Sequence, residues 1–123
     1  MTSMDRRKAP GSLIRNEASG RTGKDPLPRL LAQIVERAGP GGGIDRATSR
    51  PWASALFQGR RHVIALRIRG ADAAAQRARF LDGLEEAEWS LTGHFVADIS
   101  MDESRSSPGE EWIELSALTI EEW

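Results

Sequence analysis

Cysteine is absent from this 123-residue chain, which removes disulfide scaffolds, zinc ribbons, iron–sulfur clusters and thiol nucleophiles together. Tyrosine is absent too, and there are only two histidines, so few side chains remain for acid–base or nucleophilic chemistry. No apolar run approaches the ~20 residues needed to span a bilayer. Arg6, Arg7 and Lys8 near the start are not followed by the apolar stretch of a secretory signal, and a cytoplasmic location is the expectation. No dinucleotide or metal motif calls for a cofactor. What is present suits one small soluble domain: 39% hydrophobic residues, four tryptophans, and 17 basic against 18 acidic side chains.

The near-zero net charge conceals opposite ends. Residues 1–30 carry seven basic and three acidic groups, whereas residues 102–123 carry one and seven. Both lysines, Lys8 and Lys24, lie in the first segment, where Gly, Ser, Arg and Pro dominate and apolar residues are too sparse to offset chain ordering. Residues 1–26 therefore read as a disordered basic arm and residues 27–123 as a single domain. The remaining basic residues are all arginine, which with abundant alanine fits a GC-rich bacterial genome.

Asp25-Pro26 supplies helix-start signals, and Leu27, Leu30, Leu31, Ile34 and Val35 then recur at helical spacing until Gly39-Pro40-Gly41-Gly42-Gly43 stops them. A loop is expected from there to Arg50. Pro51–Gly70 reads as strand, with a turn at Gln58-Gly59-Arg60, after which His62, Ile64, Leu66 and Ile68 alternate with Arg61, Val63, Ala65, Arg67 and Arg69. Ala71 to about Glu86 is helical, with Asp72 as N-cap, Ala74, Ala78, Leu81 and Leu84 on one face, and Gly83 ending it. From Trp89 to Met101, Trp89, Leu91, Gly93, Phe95, Ala97, Ile99 and Met101 alternate with Ser90, Thr92, His94, Val96, Asp98 and Ser100, the pattern of a half-buried strand. Residues 102–111 read as a polar hairpin loop around Ser106-Ser107-Pro108-Gly109, and Trp112–Ile120 as a last strand. The order α-β-β-α-β-β with one-sided strands predicts an α+β two-layer sandwich: two helices on one face of a four-stranded, largely antiparallel sheet.

Candidate chemistry is sparse. Ala18–Asp25 departs from a phosphate loop at its first glycine, at its magnesium-holding hydroxyl and in lacking a preceding strand. His94 and Asp98 share a face if the strand is regular, yet four residues of strand hold them about 13 Å apart, too far for one metal ion. His62, on the apolar face, reads as a buried, neutral, hydrogen-bonded histidine. No Gly-x-Ser-x-Gly elbow is present.

The sheet face left uncovered is the candidate surface. Regular alternation puts Val63, Val96, Trp112, Leu118 and Ile120 there among Arg61, Arg67, His94, Asp98 and Glu114, and such a mixture resembles an interface. The first reading is a non-enzymatic interaction module that self-associates or docks a protein partner through Val63, Arg67, His94, Val96, Asp98, Trp112, Glu114 and Leu118. The second is phosphate or nucleic-acid binding by Arg61, Arg67 and Arg69 with the basic arm. The third is a small enzyme centred on His94 with Asp98 or Glu114.

Overall fold

The structure, a computed structural model, describes residues 25–122. The basic arm, apart from its last two residues, and Trp123 lie outside the described residues. So does the phosphate-loop-like stretch up to Lys24.

Helix α1 spans Leu27–Ala38. Asp25 Oδ1 accepts the Leu27 N–H at 3.0 Å, relieving one of the orphan donors of the first turn. Leu30, Ile34 and Ala38 point into the core, and Gly39, at φ 89°, ends the helix with its N–H on the Val35 carbonyl. Strand β1 then starts at Gly42 and runs to Ala53, where the sequence suggests a loop to Arg50. The stretch lacks a strong apolar alternation because β1 is an edge strand, paired only with β2. For the same reason it tolerates Pro51, whose missing N–H matters least at an edge.

The turn into β2 (Gln58–Arg69) is Ser54–Phe57 rather than Gln58-Gly59-Arg60. The Ser54 N–H donates to the Phe57 carbonyl at 2.9 Å, and Ser54 Oγ accepts the Phe57 N–H at 3.2 Å. Helix α2 covers Ala73–Leu81 and is followed by a 3₁₀ turn at Leu84–Glu86, the two separated by Gly83 in the left-handed region. Asp72 precedes the helix without a side-chain capping bond, and Ala74 and Ala78 face solvent. Ala73 and Phe80 carry the buried face instead. Arg37 of α1 closes the far end of α2 by donating to the Phe80 and Asp82 carbonyls at 2.9 and 2.8 Å, where the helix dipole is negative.

Strand β3 (His94–Ser107) begins five residues later than Trp89 and continues through the expected hairpin loop, leaving only Pro108-Gly109 as the turn into β4 (Glu110–Glu121). Its second half is polar because β3 is the other edge. Trp89 and Leu91 lie in the connection ahead of β3 and pack against the core. The sheet is antiparallel throughout, in the order β1-β2-β4-β3.

One core joins the layers: Leu30, Ile34 and Phe80 from the helices meet Ile64, Leu66, Ile68, Ile99, Ile113, Leu115 and Ala117 from the sheet. Both helices thus cover one sheet face, the two-layer α+β sandwich that one-sided alternation predicts.

Candidate functional site

Three bulges, at Ala97 and Asp102 in β3 and at Asp45 in β1, decide which side chains reach the uncovered sheet face. In β3, Val96 pairs with Thr119 and Asp98 with Leu118, so Ala97 is an extra residue. Upstream of it the alternation is inverted. His94, paired with Glu121, and Val96, paired with Thr119, turn to the helix side, while Phe95, paired with Ile120, turns to the open side and is 41% exposed. His94 and Val96 therefore leave the surface that regular alternation assigns to them, and Phe95 leaves the core. His94 is only 6% exposed, with Nδ1 3.3 Å from the Thr92 carbonyl oxygen. Asp98 and Glu114 lie on the opposite side of the sheet, so no acid–base pair forms with His94. The second bulge of β3 sets aside Asp102, which accepts from Ser116 Oγ, and the bulge of β1 frees Asp45, which reaches Arg67 at 2.9 Å.

Cross-strand rows describe the open face, since directly opposed residues share a side of the sheet. At one end the row is Trp52, Gly59, Ile120 and Phe95, taken from β1 across to β3. The next is Arg50, Arg61, Leu118 and Asp98. Thr48, Val63, Ser116 and Ser100 follow, then Arg46, Ala65, Glu114 and Glu103. The last full row is Gly43, Arg67, Trp112 and Arg105. The first end is apolar, and the adjoining Ser54–Phe57 turn adds Leu56, 70% exposed. The opposite end is charged and holds a shallow concavity of about 350 Å³ beside Arg46, Glu103, Arg105 and Trp112.

Three of the four arginines of β2 meet carboxylates within the chain. Arg67 contacts Asp45 and, at 3.6 Å, Glu110; Arg69 contacts Glu110 at 3.0 Å; Arg61 lies 4.0 Å from Asp98. Arg105 sits over the Trp112 ring, 5.2 Å from its centroid. Only Arg46, 3.9 Å from Glu114, is loosely held on β1, and Arg50 makes no ion pair among the described residues.

Beneath the sheet, His62 is fully buried, as its place on the apolar face predicts. Ser49 Oγ lies 2.6 Å from Nδ1, and Nε2 lies 2.9 Å from Thr119 Oγ1, whose hydroxyl donates to the Arg60 carbonyl. That donor order assigns the proton to Nε2 and leaves Nδ1 to accept from Ser49. Burial lowers the imidazole pKa from 6.5 to about 4, so the ring is neutral at physiological pH. Towards the other end of the same face, Arg77 Nε stands 3.0 Å from Glu111, a carboxylate buried beneath α2 that also accepts from Ser106 Oγ at 2.5 Å. The Arg77 contact is an ion pair without an aligned hydrogen bond.

No group of three or more His, Asp and Glu side chains among the described residues is placed to hold a metal ion. No described helix is long and apolar enough to cross a membrane. Comparison with known proteins gives no match to a family model, to a curated protein or to a solved structure.

Proposed function

We propose that this domain is an interaction module that docks a protein, its own copy or another, through the open face of the sheet. What carries the reading is the apolar end of that face, where half-buried Trp52, buried Ile120 and exposed Phe95 share one cross-strand row, with buried Leu118 beside it and exposed Leu56 adjoining. Large apolar groups collected at one end of an uncovered sheet, rimmed by charge, have the make-up of an interface. Val63, Arg67, Asp98, Trp112, Glu114 and Leu118 belong to this surface, and Trp52 and Phe95 join it in place of Val96 and His94.

The alternative built on Arg61, Arg67 and Arg69 is weakened by their ion pairs. A guanidinium already holding Asp45, Asp98 or Glu110 must give up that partner to bind phosphate.

The test is site-specific photo-crosslinking of the full chain in cells, with the reactive group at position 95 on the open face or at position 74 on the exposed side of α2. Crosslinks to polypeptide from position 95 and none from position 74 are expected. Equal crosslinking from both positions, or none from either, would remove the proposal.

A further inference from the structure

Resting on the docking reading, we infer that the occupant of the open face is a second copy of this chain, packed sheet to sheet about a two-fold axis parallel to the strands, between β2 and β4. The argument is the charge pattern of the two edges. On the β1 edge Asp45 is engaged by Arg67, which leaves Arg46 and Arg50 facing out. On the β3 edge Arg105 is engaged over Trp112 and Asp102 accepts from Ser116, which leaves Glu103, together with Asp98, 4.0 Å from Arg61 and mostly exposed. One edge is basic and the other acidic.

Rotation about an axis along the strands exchanges β1 with β3 and β2 with β4, and keeps every cross-strand row above the same row of the copy. Arg46 then faces Glu103 of the second copy, and Arg50 faces its Asp98. Trp52 faces Phe95, so the apolar end lies on itself. The other face-to-face two-fold, across the strands, stacks β1 on β1 and sets the apolar end against the charged end. A closed isologous pair therefore has one favourable axis. Sheets stacked face to face align within about 30° of each other, so the row matching holds best near the axis and remains within reach of long arginine side chains at the edges.

Size agrees with this. Strands about 4.8 Å apart and rising about 3.4 Å per residue make a four-strand face of twelve-residue strands roughly 19 by 40 Å. The resulting roughly 800 Å² matches what a stable interface takes from each partner.

Light scattering on the full chain should give the mass of two chains, unchanged as concentration rises further. Arg46→Glu and Glu103→Arg each place like charges opposite each other twice per dimer and should each weaken association at least about tenfold. The double variant R46E/E103R restores both contacts and should return to within about threefold of the wild type. Both positions are exposed, so folding is not at stake.

A double variant as weak as either single one would overturn the inference. So would a mass that keeps growing past two chains, which indicates edge-to-edge pairing of β1 with β3. A one-chain mass combined with position-95 crosslinks to a different protein, or to residues 1–24 of the same chain, would overturn the two-copy assembly. The different-protein result leaves the docking reading standing, whereas no crosslink from position 95 ends both.

Discussion

Gln33 holds the backbone of Ser90 twice: its amide nitrogen donates to the Ser90 carbonyl at 2.7 Å, and its side-chain oxygen accepts the Ser90 N–H at 2.9 Å. The pair ties α1 to the irregular segment before β3 and sets where Trp89 and Leu91 enter the core. Gln33→Ala removes both bonds from a partly exposed site, so a loss of about 1–2 kcal/mol is expected in urea unfolding, with the slope unchanged. Gln33→Glu retains an acceptor for the N–H but turns a carboxylate on the carbonyl, and should be no better than alanine. A loss below about 0.3 kcal/mol for both variants would show that the clasp is incidental.

His62 makes stability depend on pH. Between the folded value of about 4 and the ordinary value of 6.5, the unfolded chain binds a proton that the folded chain excludes. This contribution is therefore intact above pH 6.5, declines as pH falls towards 4, and is then exhausted after a loss of about 3 kcal/mol. His62→Gln can still bond Ser49 and Thr119 and should flatten that part of the stability curve while lowering its plateau at pH 7. Chemical denaturation at a series of pH values reads the difference, and an unchanged slope in the variant would refute it.

Gly41 sits at φ 85°, with the site of a Cβ only 2.0 Å from the Arg69 carbonyl oxygen. The close approach lets Arg69 donate its N–H to the Gly41 carbonyl at 3.1 Å and register β1 on the end of β2. Gly41→Ala combines left-handed strain with a backbone clash and should cost about 3 kcal/mol or more. Gly43 has nothing within 4 Å of a Cβ, so Gly43→Ala serves as the tolerated control in the same thermal melt.

The Ala97 bulge can be tested by deletion. Removing Ala97 leaves His94 and Val96 inward and Phe95 outward, because the extra residue opposes no partner of its own. A modest loss of about 1–2 kcal/mol is expected. Removing Ser116 from β4, which carries no bulge and pairs with Val63 on one side and Ser100 on the other, shifts one side of the strand by a residue and exchanges its faces, and should prevent cooperative unfolding altogether. Equal damage from both deletions would contradict the bulge.

Patterns repeated across a central element were legible from residues alone. Leu30 and Ile34 announce α1; His62, Ile64, Leu66 and Ile68 announce β2; and Ile113, Leu115 and Ala117 announce β4, since an element covered on one side must place its apolar groups at the matching period. The edge strands were harder. Gly42–Arg50 and Asp102–Ser107 lie at the two borders of the sheet, where neither face has to be apolar, so their composition resembles a loop. Of the candidate surface, Val63, Arg67, Asp98, Trp112, Glu114 and Leu118 followed from simple alternation. Trp52 required the length of β1, and Phe95 required the bulge.

The amino-acid order by itself determined the number and kind of elements, the helix-covered face of the central strands and the neutral burial of His62, because each depends on hydrophobic periodicity within a short window. Tertiary structure alone decided that β4 lies between β2 and β3 and that Ala97 inverts the start of β3. It likewise decided that Arg67 and Arg69 of β2 find acidic partners on the strands beside it. Those features depend on which strands become neighbours and in what register, and residues distant along the chain settle that only once they share a core.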